Sequence, residues 1–204
     1  MARDQDEAGR PPGPDRGAVV PGGEHHGLRA RLVERFGGRV GEAIYAFFAC
    51  GLALAISGLA AYLAKQPLLF PSLGPTALLF FERPMAATSS PRNALIGHAV
   101  AILAGFLSLG LFGLLDNPSI LVEDATPARI GAGAFSVALT GAVLLLLSAS
   151  HPPTGATTLI VSLGFLQTPS EMAALMAGVV VLTAVGWPIN RAAGVPVPAW
   201  GVKQ

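Results

Sequence analysis

Two short segments carry the same pattern of proline, glycine and threonine, a pattern suited to handling a small solute. Both read P-x-x-G-x-T-x-L, one at 71–78 and the other 81 positions later at 152–159. Glycine lets a backbone or a solute come close, and a threonine hydroxyl both donates and accepts hydrogen bonds. Breaks at corresponding positions of two apolar repeats indicate a membrane transporter or channel, with its site at the breaks.

The repeated segments supply the predicted substrate site. Proline disfavours helix for itself and for the residue before it, so each segment should be an unwound stretch followed by a half-helix. Two half-helix N-termini would then face the membrane midplane, with Ser72 and Thr154 as their N-caps. They would offer unpaired N–H donors and positive dipole ends, the chemistry of an anion site. The predicted substrate-binding residues are Ser72, Gly74, Thr76, His151, Thr154, Gly155, Thr157 and Thr158.

Some of these small residues also allow a purely structural interpretation. Threonine in a membrane span often bonds the backbone of its own helix. Glycine within a span often lets two helices pack closely, which we favour for Gly97, Gly105, Gly178 and Gly186. Gly74 and Gly155, next to prolines in both copies, are instead assigned to the site.

Two histidines, His98 and His151, lie in the apolar part of the chain. Ionisable residues inside a membrane are functional candidates, although a histidine near the end of a span can equally anchor it at the interface. His151 could attract an anion or carry a proton, and that role requires a wet vestibule because burial disfavours the charged ring. With Cys50 as the only cysteine and no recognised catalytic motif, we expect no metal, no cofactor and no enzymatic activity.

The composition is that of a membrane protein. Hydrophobic residues make up 52% of the chain and charged residues 12%, and the mean hydropathy is +0.59. A soluble domain usually has about 25% charged residues. Four uncharged runs are long enough to cross a bilayer, which needs about 20 residues: Ala43–Leu63, Leu95–Leu115, Ile130–Ser148 and Met172–Ile189.

The two shorter runs, 67–81 and 150–168, could cross the membrane or dip in and return. If they cross, the loops on the N-terminal side hold most of the arginines, and the other side holds Lys65 and Arg129 with three acidic residues. The positive-inside rule therefore favours crossing, with the N-terminus cytoplasmic in the plasma (inner) membrane. Six crossings would make an all-α fold of four long helices and two short broken spans, arranged as two inverted three-span repeats.

The predicted organisation has four parts. Residues 1–27 form a disordered tail, and 28–39 form an amphipathic helix at the membrane surface, although a plain polar lead-in fits equally well. Residues 40–190 form the transmembrane domain, with repeats at about 40–115 and 121–190, and 191–204 form a C-terminal tail. Small-residue helix faces would allow a homo-oligomer. The expected partners are the lipid bilayer and a small inorganic anion, and no nucleic acid.

The run Ser150-His151-Pro152-Pro153-Thr154-Gly155 resembles the HPP family of integral membrane proteins, which is named for its central tripeptide. The resemblance extends to the segment 70–77 and to Pro91-Arg92-Asn93 followed by Gly97-His98, and it covers about 40–189. It implies a membrane protein usually described with four spans, and plant-chloroplast and cyanobacterial members are similar to nitrite transporters. The implied signature positions, without individual roles, are Pro71, Gly74, Arg92, Asn93, His98, His151, Pro152, Pro153 and Gly155.

The sequence therefore predicts a transporter or channel for a small anion, with nitrite as the leading candidate. Two alternatives stay open: a channel for a small neutral solute, and a membrane scaffold that transports nothing. The absence of Lys and Arg from the four long runs permits the channel for a neutral solute.

Overall fold

The computed structural model describes residues 27–201, and all the regular elements within that range are helices. The predicted tail at 1–27 lies outside this range except for Gly27, and so do residues 202–204 of the predicted C-terminal tail. The all-α fold predicted from the sequence is confirmed.

Four helices are long and apolar enough to cross a membrane, as predicted. They are α2 (Gly38–Ala64), α4 (Pro91–Leu111), α6 (Pro127–Leu146) and α8 (Pro169–Ala192). Three of them begin three or four residues before the apolar run that predicted them. The reason is an N-terminal cap: the side chains of Ser90, Thr126 and Thr168 each accept a backbone N–H, and a proline follows at the first helical position.

Shorter helices lie between and before the long ones. They are α1 (Leu28–Phe36), α3 (Leu73–Glu82), α5 (Ile120–Glu123) and α7 (Thr154–Ser162), with a 3-10 turn at Ala87–Ser89. The half-helices α3 and α7 follow the repeated prolines as predicted. The amphipathic helix α1 ends at Phe36, because Gly37 adopts a left-handed φ of 86° and starts α2 in a new direction.

The first broken segment runs from one end of α2 to the other. It begins at Lys65, directly after the last residue of α2. Near its end, the ring of Phe81 lies 6.3 Å from the ring of Tyr45, which is close to the start of α2. The segment therefore traverses the helix bundle and does not turn back to the end where it began.

The second broken segment traverses the bundle in the same manner. Its start lies beside the first turn of α4, where Arg92 donates hydrogen bonds to the carbonyls of Leu147 and Ser148. Near its end, the Gln167 side chain donates to the carbonyl of Leu114, which follows the last turn of α4. Of the two sequence interpretations, this geometry favours crossing over re-entrance.

Each half-helix packs on a long helix of the other half of the chain, and glycine makes the contact close. α7 lies against α4 at Gly97, where an added Cβ would be 2.6 Å from Thr154 Cγ2. The unwound stretch before α3 lies against α8 at the equivalent Gly178, where an added Cβ would overlap the carbonyl oxygen of Leu68 and would lie 3.3 Å from Cδ1 of Leu73, the first residue of α3. The second pair of equivalent glycines, Gly105 and Gly186, meets Val161 and Phe80. The packing role predicted for these four glycines is confirmed.

We expect Gly178→Ala to destabilise the protein, because the new methyl group meets backbone that cannot rotate away. Overpacking of this kind costs about 1–3 kcal/mol. The matched control is Gly51→Ala in α2, where an added Cβ meets nothing within 4 Å in the described chain. Thermal unfolding in detergent should show a lower midpoint for Gly178→Ala alone. Equal midpoints for the two variants would contradict the close packing of α3 on α8.

If the two broken segments cross the membrane, this determines which loops lie on the same side of it. In a Cys50→Ala background, single cysteines replacing the exposed residues Met85 and Glu123 should react with a membrane-impermeant maleimide from opposite sides. Labelling of intact and of permeabilised cells gives the side of each position. Labelling of both from one side would mean that α3 and its unwound stretch do not cross.

Candidate functional site

A histidine lies between the first turns of the two half-helices. His98 Nε2 is 3.0 Å from Thr76 Oγ1 on α3, and His98 Nδ1 is 2.7 Å from Thr157 Oγ1 on α7. Thr76 and Thr157 occupy the same position of the repeated pattern. All three side chains are fully buried. The ring on α4 thus joins the two copies of the motif, which lie far apart in the chain.

A second histidine extends this arrangement. His151 Nε2 lies 3.4 Å from Thr76 Oγ1, and His151 Nδ1 donates to the carbonyl of Thr88 at 2.7 Å. The rings of His98 and His151 are 5.2 Å apart and edge to face. We call Thr76, His98, His151 and Thr157 the polar cluster. His151 has no counterpart in the other half of the chain, where Phe70 takes the equivalent position.

Two signature residues hold the second motif in place. Arg92 donates to the carbonyls of Leu147 and Ser148 at 3.2 Å and 3.0 Å, and so satisfies carbonyl groups that the end of α6 leaves free. Asn93 donates from Nδ2 to the carbonyl of Ser150 at 3.2 Å. These contacts connect the first turn of α4 to the residues just before His151. The structure therefore gives Arg92 and Asn93 a positioning role that the sequence left unassigned.

The expectation of unpaired N–H donors at the half-helix N-termini is wrong. In α7, the N–H groups of Thr154 and Gly155 bond the carbonyls of His151 and Pro152. In α3, the N–H group of Leu73 bonds the carbonyl of Phe70. The residues preceding each helix, Ser72 and Pro153, already have helical backbone angles, so a tight turn uses these donors before the helix begins. The helix dipoles remain, but these free donors do not.

The predicted caps are also different from expectation. Ser72 precedes α3, but its hydroxyl makes no cap, and it has no partner among the described residues. Thr154 is the first residue of α7, not its cap, and it donates to the carbonyl of His151. Thr158 donates to the carbonyl of Thr154 and lies 3.0 Å from the hydroxyl of Thr140. Thr154 and Thr158 thus stabilise the turn and the packing of α7 on α6.

The motif glycines face away from the rest of the fold. Gly74 and Gly155 are both partly exposed, and a Cβ at either would meet no described atom within 4 Å. No backbone within the described chain therefore requires glycine there, which leaves close approach of a solute, of lipid or of another chain. The neighbouring Pro71 and Pro152 are exposed and Pro153 is buried.

His151 lies in a dry setting, contrary to the wet vestibule that its predicted role required. Only 1% of its surface is exposed. A cavity of about 10 Å³ lies nearby, between α3 and α8, with Phe80, Ser89, Thr183 and Asn190 in its lining. That volume suits about one water molecule. The hydroxyl of Thr183, which has no protein partner within 27–201, would give such a water a hydrogen bond.

Charge is kept away from the polar cluster. Within the described residues, no Asp, Glu, Lys or Arg side chain hydrogen-bonds a cluster member, and no group of three potential metal ligands occurs. Arg129 is buried at the opposite end of the bundle from Arg92, in the first turn of α6, where it donates to the carbonyl of Pro118. The cluster can exchange hydrogen bonds and protons, but it holds no permanent charge.

His98 is the residue that sequence reasoning undervalued. The sequence makes it a functional candidate, an interfacial anchor or a family signature position and leaves it out of the predicted site, yet it contacts both motifs. The sequence feature that could have indicated this role is the position of His98 beside Gly97 in an uncharged span, because a buried ionisable residue must find polar partners. Thr88 could not have been found, since only its backbone carbonyl takes part.

Replacing Arg92 should loosen the second motif. We expect Arg92→Met to remove the hydrogen bonds to Leu147 and Ser148 and to lower the free energy of unfolding by about 1 kcal/mol. Amide hydrogen exchange should quicken at 149–156 relative to the wild type. The matched control is Arg83→Met, at an exposed arginine in the loop after α3. Unchanged exchange at 149–156 would contradict the positioning role.

The comparisons with known proteins agree with this architecture. A family model described as "HPP, transmembrane region" matches residues 37–198, a range that includes all four long helices and the whole polar cluster. No curated protein and no solved structure gives a match.

Proposed function

The chain belongs to the HPP transmembrane family, and from that premise we propose that it carries a small anion across the membrane, with nitrite as the leading candidate. The family match and the four apolar helices support a membrane transport or channel-like protein. The observation that supports a specific site is the contact of His98 with Thr76 and Thr157, one threonine from each repeated motif. Nitrite itself rests on the family resemblance.

The setting of the polar cluster supports an anion over a cation. The first turns of α3 and α7 carry Thr76 and Thr157, so the positive ends of both helix dipoles lie near His98. Hydroxyl and imidazole groups can donate hydrogen bonds to an anion, and no carboxylate among the described residues bonds the cluster to repel it. Each dipole end contributes only about 0.3–2 kcal/mol to the free energy of anion binding, so the anion would bind weakly and dissociate readily.

Burial supports a carrier that closes around its solute. Thr76, His98, Thr157 and His151 are each at most 1% exposed, so bulk water does not reach the cluster in this conformation. An anion would enter only when α3 or α7 moves relative to α4. We propose that the two motifs form equivalent halves of an inverted repeat that open in turn. In support, each half-helix packs on the long helix of the other half at an equivalent glycine.

The proposed orientation places the N-terminus and the loop with Met85 in the cytoplasm of the plasma (inner) membrane. Arg83 and Arg92 lie on the same side as α1 in this fold, and α1 carries several further arginines. The positive-inside rule then supports a cytoplasmic N-terminus. The proposal assigns transport to the protein and no enzymatic activity.

A neutral solute is the second candidate. Two observations favour it: the N–H groups of Leu73, Thr154 and Gly155 are paired with carbonyls, and the polar cluster has no permanent charge. A neutral molecule such as urea would need only the hydroxyl and imidazole hydrogen bonds. Uptake of labelled urea that nitrite does not inhibit would favour this candidate over the anion.

The experiment for the anion is uptake of nitrite into proteoliposomes that contain the purified protein. Thr76→Val and Thr157→Val keep the size of the side chain but leave a buried imidazole nitrogen without its partner, at a cost of about 1–3 kcal/mol. We expect each to lose most of the uptake, and we expect Thr76→Ser and Thr157→Ser, which keep the hydroxyl, to retain it.

The matched control is Ser108→Ala, three turns further along α4, where the hydroxyl bonds only the carbonyl of Ala104 in its own helix. It should transport like the wild type. Full uptake by both valine variants would remove the polar cluster from the transport path. No nitrite uptake by the wild type, with formate, chloride and bicarbonate also inactive, would refute anion transport.

A further inference from the structure

The polar cluster has one more hydrogen-bond contact than it has protons to fill it. Five contacts connect its members: Thr157 with His98, His98 with Thr76, Thr76 with the Ser72 carbonyl, Thr76 with His151, and His151 with the Thr88 carbonyl. With both rings neutral, each of the four side chains has one exchangeable proton. Four protons cannot fill five contacts.

The direction of each hydrogen bond follows from the two carbonyls, which only accept. His151 must carry its proton on Nδ1 to donate to Thr88, so its Nε2 is bare. Thr76 uses its proton on the carbonyl of Ser72 at 3.1 Å. His98 must then donate from Nε2 to Thr76 and accept from Thr157 at Nδ1.

The contact left unfilled is the one between Thr76 Oγ1 and His151 Nε2. In the neutral cluster both atoms present a lone pair there. At 3.4 Å this is the longest of the five contacts, as expected where no hydrogen lies between the atoms. A hydroxyl oxygen has two lone pairs, so Thr76 can accept from both rings while it still donates to Ser72. One added proton on His151 Nε2 would fill all five contacts.

We propose that the unfilled contact is a proton-binding site, and that the protein transports its anion together with one proton. The added proton makes His151 an imidazolium that donates from Nε2 to Thr76 Oγ1. It supplies the positive charge that the polar cluster otherwise lacks and that a small anion needs. This inference rests on the proposed anion transport. No covalent bond other than N–H forms or breaks, and the proton leaves with the anion.

Because the site is buried, the affinity for the proton and the affinity for the anion depend on each other. An isolated charge in this dry site is costly, and the positive dipole ends of α3 and α7 oppose a lone imidazolium. An anion beside the ring removes both penalties. Each ligand therefore raises the affinity for the other, and the coupling is reciprocal by thermodynamic linkage. The neutral pair can cross the apolar core, whereas either ion alone is disfavoured.

The two rings are the groups that can titrate at this site. Two of the other titratable groups on the packed elements bond elsewhere: Arg92 bonds the carbonyls just after α6, and the Tyr45 hydroxyl donates to Asn190. Among the described residues, none of them hydrogen-bonds the cluster; they are Arg39, Glu42, Tyr45, Cys50 and Tyr62 on α2, Glu82 and Arg83 at the end of α3, Arg92 on α4, Arg129 on α6, and Glu171 and Arg191 on α8.

The first test measures proton movement with nitrite in proteoliposomes that contain the full chain and a trapped pH dye. We expect one proton to enter with each nitrite, an acid exterior to accelerate uptake, and a membrane potential set with valinomycin to have no effect. Uptake that follows the potential and ignores the pH gradient would overturn the proposal and leave anion transport standing.

A substitution of His151 tests the binding of the proton separately from the transport of the anion. His151→Gln has a similar size and can still donate a hydrogen bond, but it cannot take up a proton. We expect it to fold and to lose the stimulation by an acid exterior. The chemically matched control, His26→Gln, lies outside the described residues and should respond like the wild type. Full stimulation in His151→Gln would refute the role of His151.

The second test needs no transport. ¹⁵N-histidine NMR of the purified protein should show His98 protonated on Nε2 and His151 on Nδ1 at about pH 8. Acidification should then protonate His151 at both nitrogens. Potassium nitrite should shift this step to higher pH than potassium gluconate does. Rings that stay neutral with nitrite present would overturn the proposal, whatever the transport result.

Discussion

The constraint on which the structure depends is the lack of water in the middle of a membrane. Each polar group there must find a partner inside the protein, or the break in the helix that frees it is too costly. The chain meets this constraint in both broken segments. The proline turns bond the first N–H groups of α3 and α7, and Arg92 bonds the carbonyls of Leu147 and Ser148, just after α6. The histidine on α4 then satisfies the hydroxyls that the two half-helices bring to the centre.

Close packing makes that arrangement possible. His98 can reach both threonines only because α4 and α7 approach at Gly97 and Gly105, and α3 and α8 approach at Gly178 and Gly186. A methyl group at Gly97 or Gly178 would push a half-helix outward and lengthen the hydrogen bonds at the centre. The glycines thus act on the polar cluster without contributing a polar atom to it.

Much of the fold follows from local rules that a single sequence displays. The four spans are visible as uncharged runs, and the half-helices as proline turns followed by small and apolar residues. The same rules could not reveal that Thr76, His98 and Thr157 meet, because that contact joins three separated elements through tertiary packing. Nor could they show that the N–H groups beside Pro152 and Pro153 are paired. That outcome depends on the backbone angles of Pro153, which are helical although proline also permits extended ones.

The two halves of the site differ in one respect: His151 in one copy of the motif faces the cluster where the other copy has Phe70. In the proposed carrier, the two motifs would therefore be chemically unequal, one with an ionisable ring and one with a benzene ring. A carrier of this kind would show different half-saturation concentrations and maximal rates in its two directions. This difference in kinetic constants cannot change the equilibrium concentrations of the solute on the two sides, because a protein that consumes no free energy leaves the equilibrium unchanged. A single aromatic substitution between otherwise matched motifs would thus give the proposed carrier a kinetic polarity, and the gradients across the membrane would still decide the net direction.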